Sequence, residues 1–160
     1  MEPLADPLTL AEITLRFVIA SIAGGILGVP SQIRRHTAGI RTHALVSMGA
    51  VLFCISGIAI VGKESHELLR VIQGITSGVG FIGGAAVLRG TRSIQGINTA
   101  ASVWIAAAVG CAVGFVSTPA VGIIGALIAC AINLGLMVLE SRVFHPGFDE
   151  DPPAGTDAPA

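Results

Sequence analysis

The feature that most constrains the fold of this chain is a series of apolar segments, each long enough to cross a lipid bilayer as a helix. Crossing about 30 Å of hydrocarbon requires about 20 helical residues, with a range of roughly 17 to 25. Five segments qualify, and they cover residues 10–29, 44–61, 71–88, 99–117 and 120–139. Because lipid offers no hydrogen bonds to the backbone, these segments predict an all-α fold, a polytopic bundle of five transmembrane helices within residues 10–144.

The low content of charged residues supports the same environment. Of the 160 residues, 52% are hydrophobic and 12% are charged, whereas soluble domains carry about 25% charged residues. We therefore expect the lipid bilayer to be the main surrounding of the chain. The net charge of −1 gives no reason to expect a nucleic-acid partner.

The arginines and lysines between the segments predict the orientation of the bundle, because cytoplasmic loops carry an excess of these residues. The regions expected on one side hold Arg34, Arg35, Arg41, Arg89, Arg92 and Arg142. The opposite side holds only Lys63 and Arg70. We therefore expect the N-terminus outside and the C-terminus in the cytoplasm, with residues 1–9 as a short external tail and residues 145–160 as a disordered, acidic and proline-rich cytoplasmic tail.

Several residues are of the types that favour the start or the end of a helix. Thr9 and Glu12 form a capping-box pattern at the start of the first helix, and Pro30 predicts its end. Thr42 is expected to cap the second helix and Asn98 the fourth.

Pairs of glycines spaced four residues apart recur in the apolar segments. Residues with this spacing share one helix face, and small residues let membrane helices approach closely. The predicted packing positions are Gly24, Gly28, Gly74, Gly78, Gly80, Gly84, Gly110 and Gly114.

Arg16 is the ionisable residue placed deepest in a predicted span, and Glu12 precedes it by one helical turn. An intramembrane ion pair between the two, extended toward the outer surface, is one interpretation. In the other, Arg16 faces a polar cavity and meets an anionic group from another helix or from a partner.

No pattern in the chain predicts an enzyme, a metal site or a cofactor. The spans lack a cluster of carboxylates suited to Mg²⁺ or Ca²⁺, and no hydrolase motif occurs. Cys54, Cys111 and Cys130 all lie in apolar segments and are interpreted as packing residues.

A basic surface is expected at the cytoplasmic ends of the helices. Its predicted members are Arg41, Thr42, His43, Arg89, Arg92 and Asn98. They could anchor the topology on anionic lipid headgroups, or they could form a surface on which a partner or a phosphate docks.

Three ordered motifs connect the chain with a known family. Residues 39–46, 77–84 and 96–104 read GIRTHALV, SGVGFIGG and GINTAASVW. They resemble three signatures of the MgtC/SapB membrane proteins. The resemblance implies a five-helix protein of the bacterial inner membrane, associated with adaptation to low magnesium and, in some pathogens, with virulence. It also implies action on other membrane proteins, with the proton-translocating ATP synthase as a proposed partner.

The chain departs from the family at Asn98, where the family usually has Thr, and in two further places. Pro30, Ser31 and Gln32 follow the glycine that ends the first span, where the family usually has acidic residues. The segment 145–160 is too short and polar to be the soluble regulatory domain of some relatives.

Two functions are consistent with these patterns. The first is a non-enzymatic regulator of another integral membrane protein. The alternative is a small oligomeric ion transporter or channel, a homo-oligomer with the glycine-rich third helix lining the path.

Overall fold

The computed structural model describes residues 8–34, 38–63, 65–89, 94–115 and 120–143. Within these residues the chain forms α1 (Leu10–Ile33), α2 (Ile40–Val61), α3 (Leu68–Ala86), β1 (Leu88–Arg89), β2 (Ile94–Gln95), α4 (Ile97–Phe115) and α5 (Ala120–Val143). The predicted helical membrane bundle is confirmed. Helices α1 to α4 are each long and apolar enough to cross a membrane, and α5 contributes the shorter apolar stretch Ala120–Leu136.

The predicted capping box at the start of α1 is confirmed. The Thr9 Oγ1 atom accepts a hydrogen bond from the Glu12 amide at 3.2 Å, and a Glu12 carboxylate oxygen accepts one from the Thr9 amide at 2.9 Å. Two amides that the first turn of a helix leaves without acceptors are satisfied in this way.

The prediction that α1 ends at Pro30 is wrong, because the helix continues to Ile33. Proline lacks an amide proton, so Pro30 cannot donate to the Ile26 carbonyl one turn earlier. The Cys130 Sγ atom of α5 donates to that carbonyl at 3.4 Å. A neighbouring helix thus replaces the missing donor, which explains why the membrane helix tolerates an internal proline.

Two other helix ends also differ from the sequence prediction. Helix α2 begins at Ile40 after Gly39, and α4 begins at Ile97 after Gly96. Thr42 and Asn98 therefore lie in first turns, and the prediction that they are N-caps is wrong. Gly96 turns the chain from β2 into α4 with a φ of 90°, a left-handed conformation that favours glycine.

Helix α4 lies at the centre of the bundle and packs against the other four helices. Its buried residues include Val103, Ala106 and Val113, and their neighbours on the surrounding helices complete the core. Helix α3 is peripheral and packs against α4 and α2. Only a narrow stripe of α3 is buried, formed by Ile75, Val79 and Gly83.

The eight glycines predicted as packing positions divide into two groups. At four of them a Cβ atom would collide with a neighbouring helix; these are Gly24 and Gly28 of α1, both against α2, and Gly110 and Gly114 of α4, also against α2. At the other four positions, all on α3, a Cβ atom would have no neighbour within 4 Å; these are Gly74, Gly78, Gly80 and Gly84. The first group brings the helices of this chain together, whereas the second group leaves a surface of α3 open.

Candidate functional site

His43 is completely buried between α2 and α4. Its Nδ1 atom lies 2.8 Å from the Gly39 carbonyl oxygen, and its Nε2 atom lies 2.8 Å from the Ser102 Oγ atom. The Ser102 hydroxyl lies 2.9 Å from the Thr99 carbonyl oxygen, to which it can donate. A hydroxyl has one proton, so Ser102 donates either to that carbonyl or to a neutral imidazole. The protonation of His43 is therefore linked to the orientation of the Ser102 hydroxyl.

The prediction that His43 belongs to an accessible basic surface is wrong, since none of the residue is exposed. Helix α2 starts four residues before the predicted start, so His43 is within the helix and on its buried face. It shares that face with Ser47, Ala50 and Cys54, which follow at spacings of four, seven and eleven residues. This helical spacing is the pattern in the sequence that indicates the burial of His43.

Arg16 is also buried, with 8% of its surface exposed, and it reaches the carboxyl end of α4. One guanidinium nitrogen, Nη1, donates to the carbonyl oxygens of Val113 and Gly114, the latter at 3.0 Å. Because the described part of α4 ends at Phe115, these carbonyls have no amide partner within it. Arg16 therefore caps α4 at the negative end of its dipole.

The structure assigns different local roles to the two members of the expected intramembrane ion pair. The Glu12 carboxylate is exposed and hydrogen-bonds Thr9 in the capping box, whereas the Arg16 guanidinium is directed to another helix. One interpretation of the sequence gave Arg16 an anionic partner; among its described contacts, two carbonyl oxygens of α4 accept hydrogen bonds from it. Nothing in the sequence indicates which carbonyls they are, because α1 and α4 are 97 residues apart at this contact.

A cavity of about 380 Å³ lies between α1, α4 and α5, and we call it the polar cavity. Its polar lining residues are Ser31, Arg34, Asn98, Thr99, Ser102 and Asn133. Thr99 is 1% exposed, and its Oγ1 atom has no hydrogen-bond partner in the described part of the chain. Ser102 joins this cavity to His43.

A larger groove of about 1100 Å³ lies between α2 and α3, and we call it the α2/α3 groove. Gly49, Gly74 and Gly78 are in its wall, and Arg41 and Thr42 line one end. The expected basic surface is therefore divided. Arg41 and Thr42 lie at this groove and Asn98 lies at the polar cavity, while the side chain of Arg89 and the whole of Arg92 lie outside the described residues.

The side of α3 that is turned away from the bundle carries Gln73, Ser77, Gly80 and Gly84, and we call it the α3 outer face. These four residues are exposed, and their spacing of four, seven and eleven places them on one stripe. The stripe is offset by two residues, or about 200° of rotation, from the buried stripe that begins at Ile75. An amide, a hydroxyl and two glycines therefore form one line along the outward side of α3, beside the exposed side chain of Phe81.

Among the residues that the structure describes, no three His, Cys, Asp or Glu side chains come together in a way that could hold a metal ion. Two other arrangements could bind a ligand or a partner, and these are the polar cavity and the α3 outer face. Sequence reasoning identified the α3 glycines, whereas it did not bring Ser31, Arg34 and Asn133 together with Asn98.

Comparison with known proteins gives consistent matches. The sequence model of the MgtC family matches residues 17–142. The uncharacterized protein slr0014 of Synechocystis is 35% identical over 136 residues, which cover 84% of this chain and 56% of that protein. The putative magnesium transporter YhiD of Escherichia coli K12 is 38% identical, with coverages of 84% and 61%. The protein MgtC of Brucella abortus is 35% identical, with coverages of 80% and 54%.

This chain thus spans somewhat more than half the length of these relatives. No solved structure matches it.

Proposed function

Because this chain belongs to the MgtC family, we propose that it is a non-enzymatic regulator in the bacterial inner membrane that binds a transmembrane helix of another integral membrane protein. The E. coli relative is named a putative magnesium transporter, and we extend that connection to a role in adaptation to low magnesium or a related stress. The family resemblance makes the proton-translocating ATP synthase a candidate partner. The arginine-rich ends of the helices would face the cytoplasm.

The α3 outer face is the observation that carries this proposal. Lipid offers no hydrogen bonds to the Gln73 amide, so an exposed position in the bilayer is unfavourable for that side chain. Gly80 and Gly84 leave the backbone of α3 open, with no atom within 4 Å of a Cβ position. A second helix could approach closely along these glycines and hydrogen-bond Gln73 and Ser77, the kind of contact by which membrane helices associate.

A cysteine crosslink tests whether a foreign helix binds there. The three native cysteines are first replaced by Cys54→Ala, Cys111→Ala and Cys130→Ser, the last of which keeps a donor toward Ile26. Ser77→Cys then places a single thiol on the α3 outer face in native membranes. We expect a crosslink to a heterologous protein from this position.

The matched control is Ile124→Cys on the exposed surface of α5, since Ile124 is 55% exposed. We expect no heterologous crosslink from it. Equal crosslinking from both positions, or none from Ser77→Cys, would contradict the regulatory proposal.

The α3 outer face also supports the second candidate function, a small oligomeric ion transporter. In a ring of several copies, Gln73 and Ser77 could face a water-filled path. Crosslinks between copies of this chain alone, together with Mg²⁺ flux into liposomes that contain the purified protein, would support this candidate. Absence of flux under an imposed Mg²⁺ gradient would remove it.

A further inference from the structure

We propose that the polar cavity between α1, α4 and α5 binds a phosphate group, either as free phosphate or as the headgroup of an anionic phospholipid. This inference goes beyond the proposed function, because the cavity and the α3 outer face are formed by different residues. It rests on the charge of the lining, on an unpartnered hydroxyl and on the volume of the site.

The charges around the cavity favour an anion. Helix α4 begins at Ile97, and Asn98 and Thr99 of its first turn line the cavity. The amides of such a turn have no acceptors within the helix and carry about half a positive charge. The carboxyl end of α1 contributes about half a negative charge, but Arg34 at that end carries a full positive charge and lines the cavity.

Among the described residues around the cavity, the lining contains no aspartate or glutamate, the carboxylates that a cation site usually requires. Hydroxyl and amide oxygens alone make a weak site for Mg²⁺, which prefers carboxylates. An anion at a helix N-terminus needs no such compensation.

Thr99 gives an independent indication of a ligand. Its hydroxyl is buried and has no hydrogen-bond partner in the described chain, although buried hydroxyls are generally paired. Ser31, which is 6% exposed, places a second hydroxyl on the lining from α1. Asn98 and Asn133 add amide donors from α4 and α5. Three helices thus contribute hydroxyl and amide side chains to the lining of one cavity, and a phosphate bound there could accept the Thr99 proton.

The volume distinguishes the cavity from a simple water site. At about 380 Å³ it is far larger than the space that one water molecule needs. Its lining also includes apolar side chains, among them Leu27, Ile105 and Ile132. A free phosphate would contact only the polar side chains, whereas a phospholipid could also place glycerol and acyl carbons against the apolar ones.

Thermal unfolding of the purified protein in a nonionic detergent tests the proposal. Inorganic phosphate is titrated against chloride at equal ionic strength, and phosphatidylglycerol is titrated against phosphatidylcholine. We expect phosphate or phosphatidylglycerol to raise the unfolding temperature of the wild-type protein in a saturable way. A response to phosphate identifies the free ion as a ligand, and a response to phosphatidylglycerol alone identifies the lipid headgroup.

Arg34→Gln and Thr99→Val should each weaken this binding by about tenfold or more, because the first removes a positive charge and the second a hydroxyl donor. Thr99→Val should not lower the unfolding temperature without ligand, since it replaces an unpaired hydroxyl by a methyl group of similar size. This second readout separates a binding role from a structural one.

Arg41→Gln is the matched control, because Arg41 is an exposed arginine that lines the α2/α3 groove instead. It should bind like the wild type. Three results would each overturn the proposal: no stabilisation by either probe, unchanged binding in both cavity variants, or an equal loss in Arg41→Gln. None of these results bears on the crosslink from Ser77→Cys, so the two proposals fail separately.

Discussion

Adding one methyl group to each of two glycines provides a direct test of how the bundle is packed. Gly110 is in the interior of α4, and Gly80 is in the interior of α3. A Cβ atom at Gly110 would lie 2.7 Å from the Ala50 Cβ atom and closer still to the Ser47 carbonyl oxygen. A Cβ atom at Gly80 would have no neighbour within 4 Å.

The expected magnitudes follow from two opposing terms. Alanine improves on glycine in a helix interior by about 0.5–1 kcal/mol, and this gain applies to both variants. Overpacking a tight contact costs about 1–3 kcal/mol, and at Gly110 the obstacle is partly backbone, which cannot rotate away. Gly80→Ala should therefore stabilise the protein slightly. Gly110→Ala should be less stable than Gly80→Ala by about 1–3 kcal/mol, since the helix-propensity gain cancels in the comparison.

The free energy of unfolding can be measured by titrating the purified protein in mixed micelles with a denaturing detergent. Helical circular dichroism reports the unfolding, and the fluorescence of Trp104, the single tryptophan of the chain, gives a second probe within α4. Equal unfolding free energies for the two alanine variants would refute the close contact between α4 and α2. A large loss of stability in Gly80→Ala would refute the exposed position of that glycine.

Three further substitutions test other contacts, the first two by the same unfolding assay. Arg16→Leu removes the cap at the carboxyl end of α4 and should lower the free energy of unfolding by about 1–3 kcal/mol, with Arg16→Lys retaining part of the stability. Cys130→Val removes the donor to the Ile26 carbonyl and should be less stable than Cys130→Ser by about 0.5–1.5 kcal/mol; equal stabilities would show that this hydrogen bond contributes nothing. Gly80→Leu should abolish the heterologous crosslink from Ser77→Cys while the amount of protein in the membrane stays unchanged, and a persistent crosslink would place the partner elsewhere.

Features that depend on neighbouring residues along the chain could be predicted from the sequence. The capping box needs only Thr9 and Glu12 three residues apart, and its geometry is local to one helical turn. The helices themselves follow from the length of the apolar segments, because the backbone has no other way to satisfy its hydrogen bonds in lipid. Family membership was likewise readable from three short motifs, and all three lie within residues 17–142, which the family model matches.

The candidate sites were less predictable, because their members come from separate helices. The polar cavity combines Arg34, Asn98 and Asn133, which are separated by dozens of residues and carry no common motif. The burial of His43 depends on where α2 begins. Because α2 begins four residues before its predicted start, His43 lies in the core and not on the expected surface. Gln73 and Ser77 are four residues apart and so share a side of α3, but the sequence does not show which side of α3 contacts its neighbours.

By itself, the sequence determined that this chain forms apolar membrane helices, where one of them is capped and to which family the protein belongs. Only the tertiary structure decided that Gly110 is closely packed while Gly80 is open, although both are glycines in apolar helices. It also decided that Pro30 does not end α1, because the donor that replaces the missing amide is Cys130 of another helix. The physical reason is the same in each case. A helix forms from hydrogen bonds within four residues, whereas the role of a side chain depends on which remote helix lies against it.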